Sequence, residues 1–367
     1  MRSAMHNATY RFFDAAFTVE TDDFGFLARF DRAYRRFRAA ADPGAPVYRV
    51  RLRGRPELDL NGDVWRAADP ATLSLFACNA ILNAATSRVC SHVQYHAAAL
   101  AAPDGAGVVL AGDAGLGKTT LTLALLRHGF RVFSDDVAAV GCADGLLHPF
   151  PRPLAVRDAA YSPDEKRLLD ATEPALAQTP SPPRLLILLT EEAGQLRPSG
   201  RLMALDRITA MFLTELTELP RVQAAIIGRT GPYPTVTLDL VDETLPTLDP
   251  AILALCRRHA ILPFDIGPGP ARALDFGRSP RLVHLSAAEA TERLLRHLKG
   301  GSASALLAER FGGRPAGLFM ALAALTDRMT CYRLEVGQLE ASVGLILAVG
   351  ADGHPPRHFA PAPGAGA

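Results

Sequence analysis

The stretch from residue 107 to residue 140 constrains the fold more than any other part of this chain. Within it, Gly112, Gly117, Lys118 and Thr119 complete the pattern G-x-x-x-x-G-K-[ST]. Glycines let backbone N–H groups turn inward onto phosphate oxygens, because a Cβ atom would block some of the dihedral angles required. A lysine at this place reaches the β- and γ-phosphates, and the hydroxyl that follows it is a ligand for Mg²⁺. The pattern therefore predicts a binding site for the phosphate chain of a nucleotide.

Both flanks of this loop have the composition that the pattern needs. Residues 108–110 predict a buried strand, and residues 121–126 give the following segment the apolar face of a helix that ends at Gly129. The positive end of that helix dipole would point at the bound phosphates. We expect the other residues of the loop to line the nucleotide as well: Asp113, Ala114, Gly115 and Leu116.

The composition is that of a globular protein. The chain has 367 residues, of which 49% are hydrophobic and 21% are charged. This length predicts about two or three structural units with ample core. The formal net charge of +1 provides no overall field that would attract nucleic acid or an anionic membrane. We therefore expect neither of these as a partner.

The sequence features that report on compartment predict a cytoplasmic protein. No apolar run reaches the roughly 20 residues of a membrane span, and the first residues contain no apolar signal core. The five cysteines are scattered and lack C-x-x-C spacing, which favours reduced thiols over disulfides or a zinc site.

The first predicted unit is a small α+β arrangement over residues 1–90. Its predicted elements are a strand, a helix, a strand, a hairpin about Asn61-Gly62 and a second helix, at residues 10–21, 24–37, 47–52, 58–67 and 72–88. The first helix and the residue after it carry five arginines, with an acidic residue, Asp31, between them. We interpret these arginines as a solvated helix face and not as a basic patch.

An antiparallel pair of strands is predicted immediately before the loop. A strand at residues 94–101, which carries His96, is joined by a tight turn to the strand of the loop. Such a pair is unusual for Ras-like or RecA-like folds, in which parallel strands joined by helices dominate. After the helix that follows the loop, a second apolar strand ends in Asp135 and Asp136.

The rest of the chain continues to alternate between strands and helices. Further strands are predicted at residues 184–190, 235–240, 281–285 and 331–336. Residues 161–178 predict a helix and a loop. Further helices are predicted at residues 203–219, 251–259, 286–298, 303–311, 318–326 and 339–349, and Ser286 and Glu289 form a capping box at the start of the helix at residues 286–298. Residues 263–270 predict a linker or loop, and the Pro-, Gly- and Ala-rich residues 351–367 predict a disordered tail.

Three features taken together resemble a known family. His96 before the loop, the loop itself and the sequence Phe133-Ser134-Asp135-Asp136 are similar to the catalytic domain of HPr serine kinase/phosphorylase and its HPr-kinase-like relatives. These relatives include lasso-peptide kinases and, more distantly, phosphoenolpyruvate carboxykinase. Only one helix and one strand separate Lys118 from Asp135, whereas Ras-like and RecA-like proteins place the corresponding carboxylate on a more distant strand.

The resemblance implies an α/β fold with a mixed-sheet P-loop kinase core. That core would span residues 91–350 with an insertion around residues 191–280, next to the smaller N-terminal α+β unit. It also implies ATP or another nucleoside triphosphate and Mg²⁺ as cofactors, and assembly into homo-oligomers. The family's downstream glycine- and asparagine-containing signature is absent, and Asp113-Ala114-Gly115 replaces a loop that usually contains serine. HPr as the substrate and the reverse phosphorolysis reaction are therefore not carried over.

The resemblance also implies roles for individual residues in the loop and beyond it. Lys118 would hold the transferred phosphoryl group, Thr119 would bind Mg²⁺ and Thr120 would bind a phosphate oxygen. Asp135 would accept the proton of an attacking hydroxyl, and Asp136 would lie near Mg²⁺, directly or through water.

His96 would support this region, and Arg157 or Arg152 would contact phosphate. The residues alone leave other roles open. The two aspartates would then form a turn or helix cap, His96 would be a core histidine, and Arg152 and Arg157 would be surface or structural arginines.

We expect an ATP- and Mg²⁺-dependent kinase that phosphorylates a hydroxyl group, with serine of a peptide or protein as the first candidate acceptor. A small-molecule acceptor is one alternative. A nucleotide-binding regulatory or partner protein with little catalysis is another. A nucleic-acid-stimulated ATPase is disfavoured by the neutral net charge and by the lack of a basic patch interleaved with aromatic residues.

Overall fold

The protein is a mixed α/β molecule with several sheets. The computed structural model describes residues 4–113, 116–157, 166–169, 175–190, 199–205, 207–230, 233–241, 245–268, 276–299 and 313–352.

The helices are α1 Phe24–Tyr34, α2 Pro70–Thr86, α3 Lys118–Leu126, α4 Ala210–Thr217, α5 Leu245–Arg258, α6 Ala287–Leu295, α7 Pro315–Thr326 and α8 Leu339–Asp352. The first ten strands are β1 His6–Phe12, β2 Ala15–Thr21, β3 Val47–Arg51, β4 Glu57–Leu60, β5 Asp63–Arg66, β6 His92–Tyr95, β7 Ala97–Ala101, β8 Gly107–Ala111, β9 Arg131–Ser134 and β10 Ala138–Gly141. The remaining strands are β11 Leu147–His148, β12 Leu154–Arg157, β13 Lys166–Leu169, β14 Pro183–Thr190, β15 Ser199–Ala204, β16 Val222–Thr230, β17 Tyr233–Leu240, β18 Pro263–Pro268, β19 Arg281–Leu285 and β20 Thr330–Glu335.

The central sheet has six strands in the order β19-β20-β14-β8-β7-β9. Strands β8, β14 and β20 are parallel to one another, and β9 shares their direction because β8 and β9 are both antiparallel to β7. One face packs against α3 and α8, and the other packs against α6 and α7. The apolar run of β14 follows from this burial on both faces. The antiparallel pair predicted before the loop is confirmed as β7 and β8.

A five-stranded sheet in the order β1-β2-β3-β4-β5 forms the N-terminal unit together with α1 and α2. Its core is rich in aromatic side chains, including Phe12, Phe17 and Phe30, which are fully buried. The predicted strand at residues 10–21 is instead two antiparallel strands, because the chain turns at Phe13, whose φ of 53° lies in the left-handed region. The hairpin about Asn61 is confirmed.

A third sheet, in the order β16-β17-β15-β18, packs with α4 and α5. Its apolar core is continuous with that of the N-terminal unit, and α2 contacts β18. At the surface of this junction, Arg257 donates to Asp63 at 2.8 Å and lies over the ring of Trp65. Residues 199–268 therefore share their largest hydrophobic cluster with the N-terminal unit.

The strand predicted at residues 94–101 is wrong in one respect. It is two strands, because the chain leaves the three-stranded sheet β11-β10-β6 and enters the central sheet at His96. The backbone N–H of His96 donates to the carbonyl of His297 at 2.7 Å and not to a neighbouring strand. The sequence contained no breaker residue that would mark this change of sheet.

Two other predictions are wrong in part because tertiary pairing overrides local composition. The helix predicted at residues 203–219 is confirmed as α4 but begins later. Residues up to Ala204 belong to β15, and α4 begins only after Thr209, whose hydroxyl accepts a hydrogen bond from the N–H of Phe212. The predicted loop at residues 263–270 contains β18, an edge strand with prolines at its two ends, where a missing N–H costs least.

Part of the predicted helix and loop at residues 161–178 is strand β13, which pairs with β12. Strand β16 was not predicted. The expectations for residues 303–311 and for the tail from residue 353 lie outside the described residues. Of the helices in the described ranges, none is both long enough and apolar enough to cross a membrane.

Candidate active site

The topology of the central sheet brings the sequence-predicted residues to one edge. Strands β8, β9, β14 and β20 all end at this edge, and β7 begins there. Ala97, the first residue of β7, pairs with Ala111, the last residue of β8, so His96 just before β7 and Gly112 just after β8 both lie at this edge. Ligand sites in α/β sheets are found where the carboxyl ends of parallel strands meet.

The loop after β8 is seated tightly against β14. A Cβ atom on Gly112 would lie 2.8 Å from Cβ of Leu189 and 3.1 Å from its carbonyl oxygen, so only glycine fits. At the other end of the loop, Gly117 has φ = 86° and precedes the first residue of α3. Leu116 is buried beneath the loop, and Ala114 and Gly115 lie outside the described residues.

Lys118 places its ammonium group inside this loop. Its Nζ donates to the carbonyl of Gly112 at 2.5 Å and to that of Asp113 at 3.2 Å, and the residue is only 8% exposed. Thr119 is half-buried and Thr120 is exposed on the first turn of α3. A cation and the positive end of a helix dipole thus occupy the same place, which favours an anionic ligand there.

The two carboxylates follow β9 at the same edge. Asp135 is buried, and the hydroxyl of Ser134 accepts hydrogen bonds from the N–H groups of Asp136 and Val137, which shapes the turn. In Asp136, Oδ1 lies 3.2 Å from Nδ1 of His96, and Oδ2 accepts a hydrogen bond of 2.7 Å from Arg152. His96, which remains 44% exposed, and Asp136 are therefore brought into direct contact.

Arg152 connects the N-terminal unit to this edge. Its guanidinium group lies 5.9 Å from the ring centroid of Tyr34, the last residue of α1, and donates to Asp136. Burial works to lower the pKa of Arg152, but the nearby Tyr34, Asp136 and Asp135 outweigh it and raise that pKa. Burial also raises the pKa of Tyr34 to about 12, although Arg152 opposes this shift. Arg152 thus stays charged and binds a carboxylate.

Two basic residues after α6, His297 and Lys299, lie next to the site and were not predicted. Two backbone hydrogen bonds hold them there: the N–H of His96 donates to the carbonyl of His297, and the N–H of Lys299 donates to the carbonyl of Gln94 at 3.0 Å. Burial lowers the pKa of His297 to about 4, with Lys118 and Arg296 adding to that shift and Asp113 opposing it. Burial also lowers the pKa of Lys299, and Asp136 opposes this. A basic cluster at the end of a predicted helix was the one available signal.

An exposed aromatic ring stands beside the loop. Cε1 of Phe276, which is 47% exposed, lies 3.9 Å from the position of a Cβ atom on Gly117. Two hydrogen bonds hold the residues that follow Phe276: Arg278 donates to the carbonyl of Val336 at 2.9 Å, and Gln338 donates to the carbonyl of Gly277 at 2.8 Å.

Arg157 is the last residue of β12, and its side chain lies outside the described residues.

Comparisons with known proteins add little to this geometry. No family model matches the chain, and no curated protein matches it. Among solved structures, this chain is similar to the Hpr(Ser) kinase/phosphatase from Coxiella burnetii, with 17% sequence identity. The match covers 45% of this chain and 97% of that chain, with a TM-score of 0.23. Similarity at this TM-score carries no argument, so the proposals below rest on the geometry.

Proposed function

We propose that this chain is a kinase that transfers the γ-phosphoryl group of ATP, with Mg²⁺, to a hydroxyl group, and that the acceptor is a serine of a peptide or protein. One observation carries the proposal. A buried lysine inside a glycine loop stands at the same sheet edge as Asp135 and Asp136, and His96 joins that edge from the neighbouring strand. Phosphoryl transfer needs mainly this combination of charge neutralisation and positioning.

The residues at the edge fit the two cofactors. Gly112 lets the loop pack closely against β14, Gly117 lets the backbone turn with positive φ into α3, and Lys118 supplies the cation for a phosphate held by such a loop. Thr119 and Asp136 would hold Mg²⁺, since hydroxyl and carboxylate oxygens are ligands that it prefers. Within the described ranges, no group of three His, Cys, Asp or Glu residues could hold a metal ion. When bound, Mg²⁺ neutralises phosphate charge.

In the proposed reaction, Asp135 accepts the proton of the acceptor hydroxyl while the hydroxyl oxygen forms a bond to the γ-phosphorus. The bond from the γ-phosphorus to the oxygen that bridges the β- and γ-phosphates breaks, and ADP leaves. Lys118 neutralises the charge that grows on the phosphate oxygens. His96 and Arg152 hold Asp136 in place. The ring of Phe276 offers a face for stacking beside the loop.

Transfer of labelled phosphate from ATP to candidate peptides tests this function. We expect Asp135→Asn to lower the transfer rate by about 10²- to 10⁴-fold while nucleotide still binds. We expect Lys118→Ala to weaken nucleotide binding and to stop turnover. The exposed Asp327→Asn serves as the matched control. Transfer at the native rate by the Asp135 variant would remove that residue as the base.

A second candidate function is a nucleotide-binding regulatory protein with little catalysis. The observation in its favour is that Asp136 already pairs with Arg152 and His96 and is thereby engaged on both oxygens. Tight nucleotide binding by the native chain, with no transfer to any peptide or small alcohol and no hydrolysis, would establish this role in place of the kinase.

A further inference from the structure

A groove of about 360 Å³ runs along α1 on the N-terminal unit. We call it the arginine groove, and it is lined by Phe24, Leu27, Ala28, Asp31, Arg32, Arg35 and Arg38. Its volume is enough for a few side chains of a ligand and not for a folded partner. The groove therefore fits a short segment of chain.

The lining of the arginine groove is positively charged. It contains three arginines and one aspartate, although the whole chain has a formal net charge of only +1. Asp31 accepts a 2.5 Å hydrogen bond from Arg38 and a 3.3 Å bond from the hydroxyl of Tyr10, so its charge is directed toward groups of the protein itself. Arg32 and Arg35 are exposed at the groove. Guanidinium groups in this setting recognise carboxylates or phosphates.

The groove also has an apolar part, which a solvated helix face does not explain. Phe24 is the first residue of α1 and is 66% exposed, and its neighbours in the groove are Leu27 and Ala28. Large exposed aromatic side chains in a concave surface are typical of binding sites. A ligand that matches this surface carries both acidic groups and an apolar side chain.

Helix α1 connects the arginine groove to the candidate active site. Its last residue, Tyr34, packs against Arg152, and Arg152 binds Asp136. A ligand held along the exposed side of this helix is thus bound to an element of the N-terminal unit whose last residue contacts the arginine that binds Asp136. This position suits a recognition segment of the molecule that receives the phosphoryl group.

We propose that the arginine groove binds an acidic peptide segment that contains an apolar residue, and that this segment belongs to the phosphoryl acceptor. The second half of this statement rests on the proposed function. A peptide fits better than a nucleic acid, because single-stranded nucleic acids need a line of several aromatic platforms. The groove has a single aromatic residue among those that line it.

Binding is measured by fluorescence anisotropy with the full chain and no nucleotide. The probe is a fluorescein-labelled peptide of Glu-Glu-Leu repeats, and the matched probe contains Gln-Gln-Leu repeats. We expect the acidic probe to bind and to weaken as salt rises. We expect Arg32→Glu with Arg35→Glu to weaken it by at least about ten-fold and Phe24→Ala by about three-fold. The control Arg55→Glu, in the exposed turn between β3 and β4, should change it less than about two-fold.

Several results would overturn the proposal. These are no binding of the acidic probe, equal binding of the Gln probe, equal effects of the groove and control variants, and tighter binding of labelled oligothymidylate than of the peptide. Circular dichroism checks that each variant is folded, and Arg32→Gln with Arg35→Gln replaces the double reversal if that variant is unfolded. If the chain binds the acidic probe through the groove but transfers no phosphate, the groove proposal stands and the proposed kinase function is refuted. If it transfers phosphate but does not bind the probe through the groove, the kinase function stands and the groove proposal is refuted.

Discussion

Replacing Arg152 with methionine tests how the candidate site is held together. The guanidinium group donates to Asp136 at 2.7 Å, and the two side chains are 12% and 30% exposed. Methionine keeps much of the apolar volume but removes the charge. If Arg152 holds the carboxylate in place, its loss should destabilise the fold and should also change how the site binds Mg²⁺.

The size of the effect follows from the burial of the pair. An exposed ion pair contributes about 0–1 kcal/mol, whereas removing one partner of a fully buried pair costs about 3–5 kcal/mol. The pair of Arg152 and Asp136 lies between these limits, because one side chain is nearly buried and the other is partly exposed. We therefore expect Arg152→Met to lower the free energy of unfolding by about 2–3 kcal/mol.

Urea unfolding followed by circular dichroism is the assay, because the single tryptophan, Trp65, lies on β5 at the junction with the third sheet and not in the central sheet. A double-mutant cycle with Asp136→Asn isolates the pair, and we expect a coupling free energy of about 2 kcal/mol. Arg184→Met is the matched control. Its ion pair with Asp104 spans 3.9 Å with side chains 68% and 56% exposed, so its loss should cost less than about 0.5 kcal/mol.

Equal costs for the variants of Arg152 and Arg184 would refute this reasoning, as would a coupling free energy near zero. Removal of Arg152 also leaves Asp136 with one cationic neighbour fewer, so Mg²⁺ titrations in the presence of nucleotide should show tighter binding of the metal by Arg152→Met. Weaker nucleotide binding with unchanged stability would instead mean that Arg152 contacts phosphate.

Three further predictions concern single positions. Gly112→Ala should cost about 1–3 kcal/mol and abolish nucleotide binding because its Cβ would meet Leu189 at 2.8 Å, whereas Gly228→Ala, with open space around it, is the control in urea unfolding. Ser286→Ala should cost about 1 kcal/mol in the same assay because it breaks the capping box at the start of α6, and an unchanged midpoint would contradict this. Burial lowers the pKa of His92 from 6.5 to about 4, so the unfolded chain binds more protons than the folded chain between these pH values. The free energy of unfolding should therefore be highest above pH 6.5 and should fall toward pH 4 by at most about 3 kcal/mol. Thermal melts should show that the melting temperature of His92→Gln depends less on pH over this range.

Much of the local structure could be predicted because its causes are local. The strand, loop and helix around Gly112 and Lys118 depend on glycine conformation and on the spacing of apolar residues over a few turns of chain. The hairpin at Asn61 and the capping box at Ser286 depend on three or four neighbouring residues. Predictions failed where pairing with a distant strand decided the conformation, as in β15 and β18.

The sequence by itself determined that a glycine loop followed by Lys118 and a pair of carboxylates exist and that a single helix and strand separate them. Only the tertiary structure decided which side chains meet those groups. Arg152 and His96 reach Asp136, His297 lies near Lys118, and α1 connects the N-terminal unit to the same edge. These partners are far apart along the chain, and the order and direction of strands in the central sheet bring them together. No local pattern of residues encodes that order, because it is set by how apolar faces of whole elements are buried against one another.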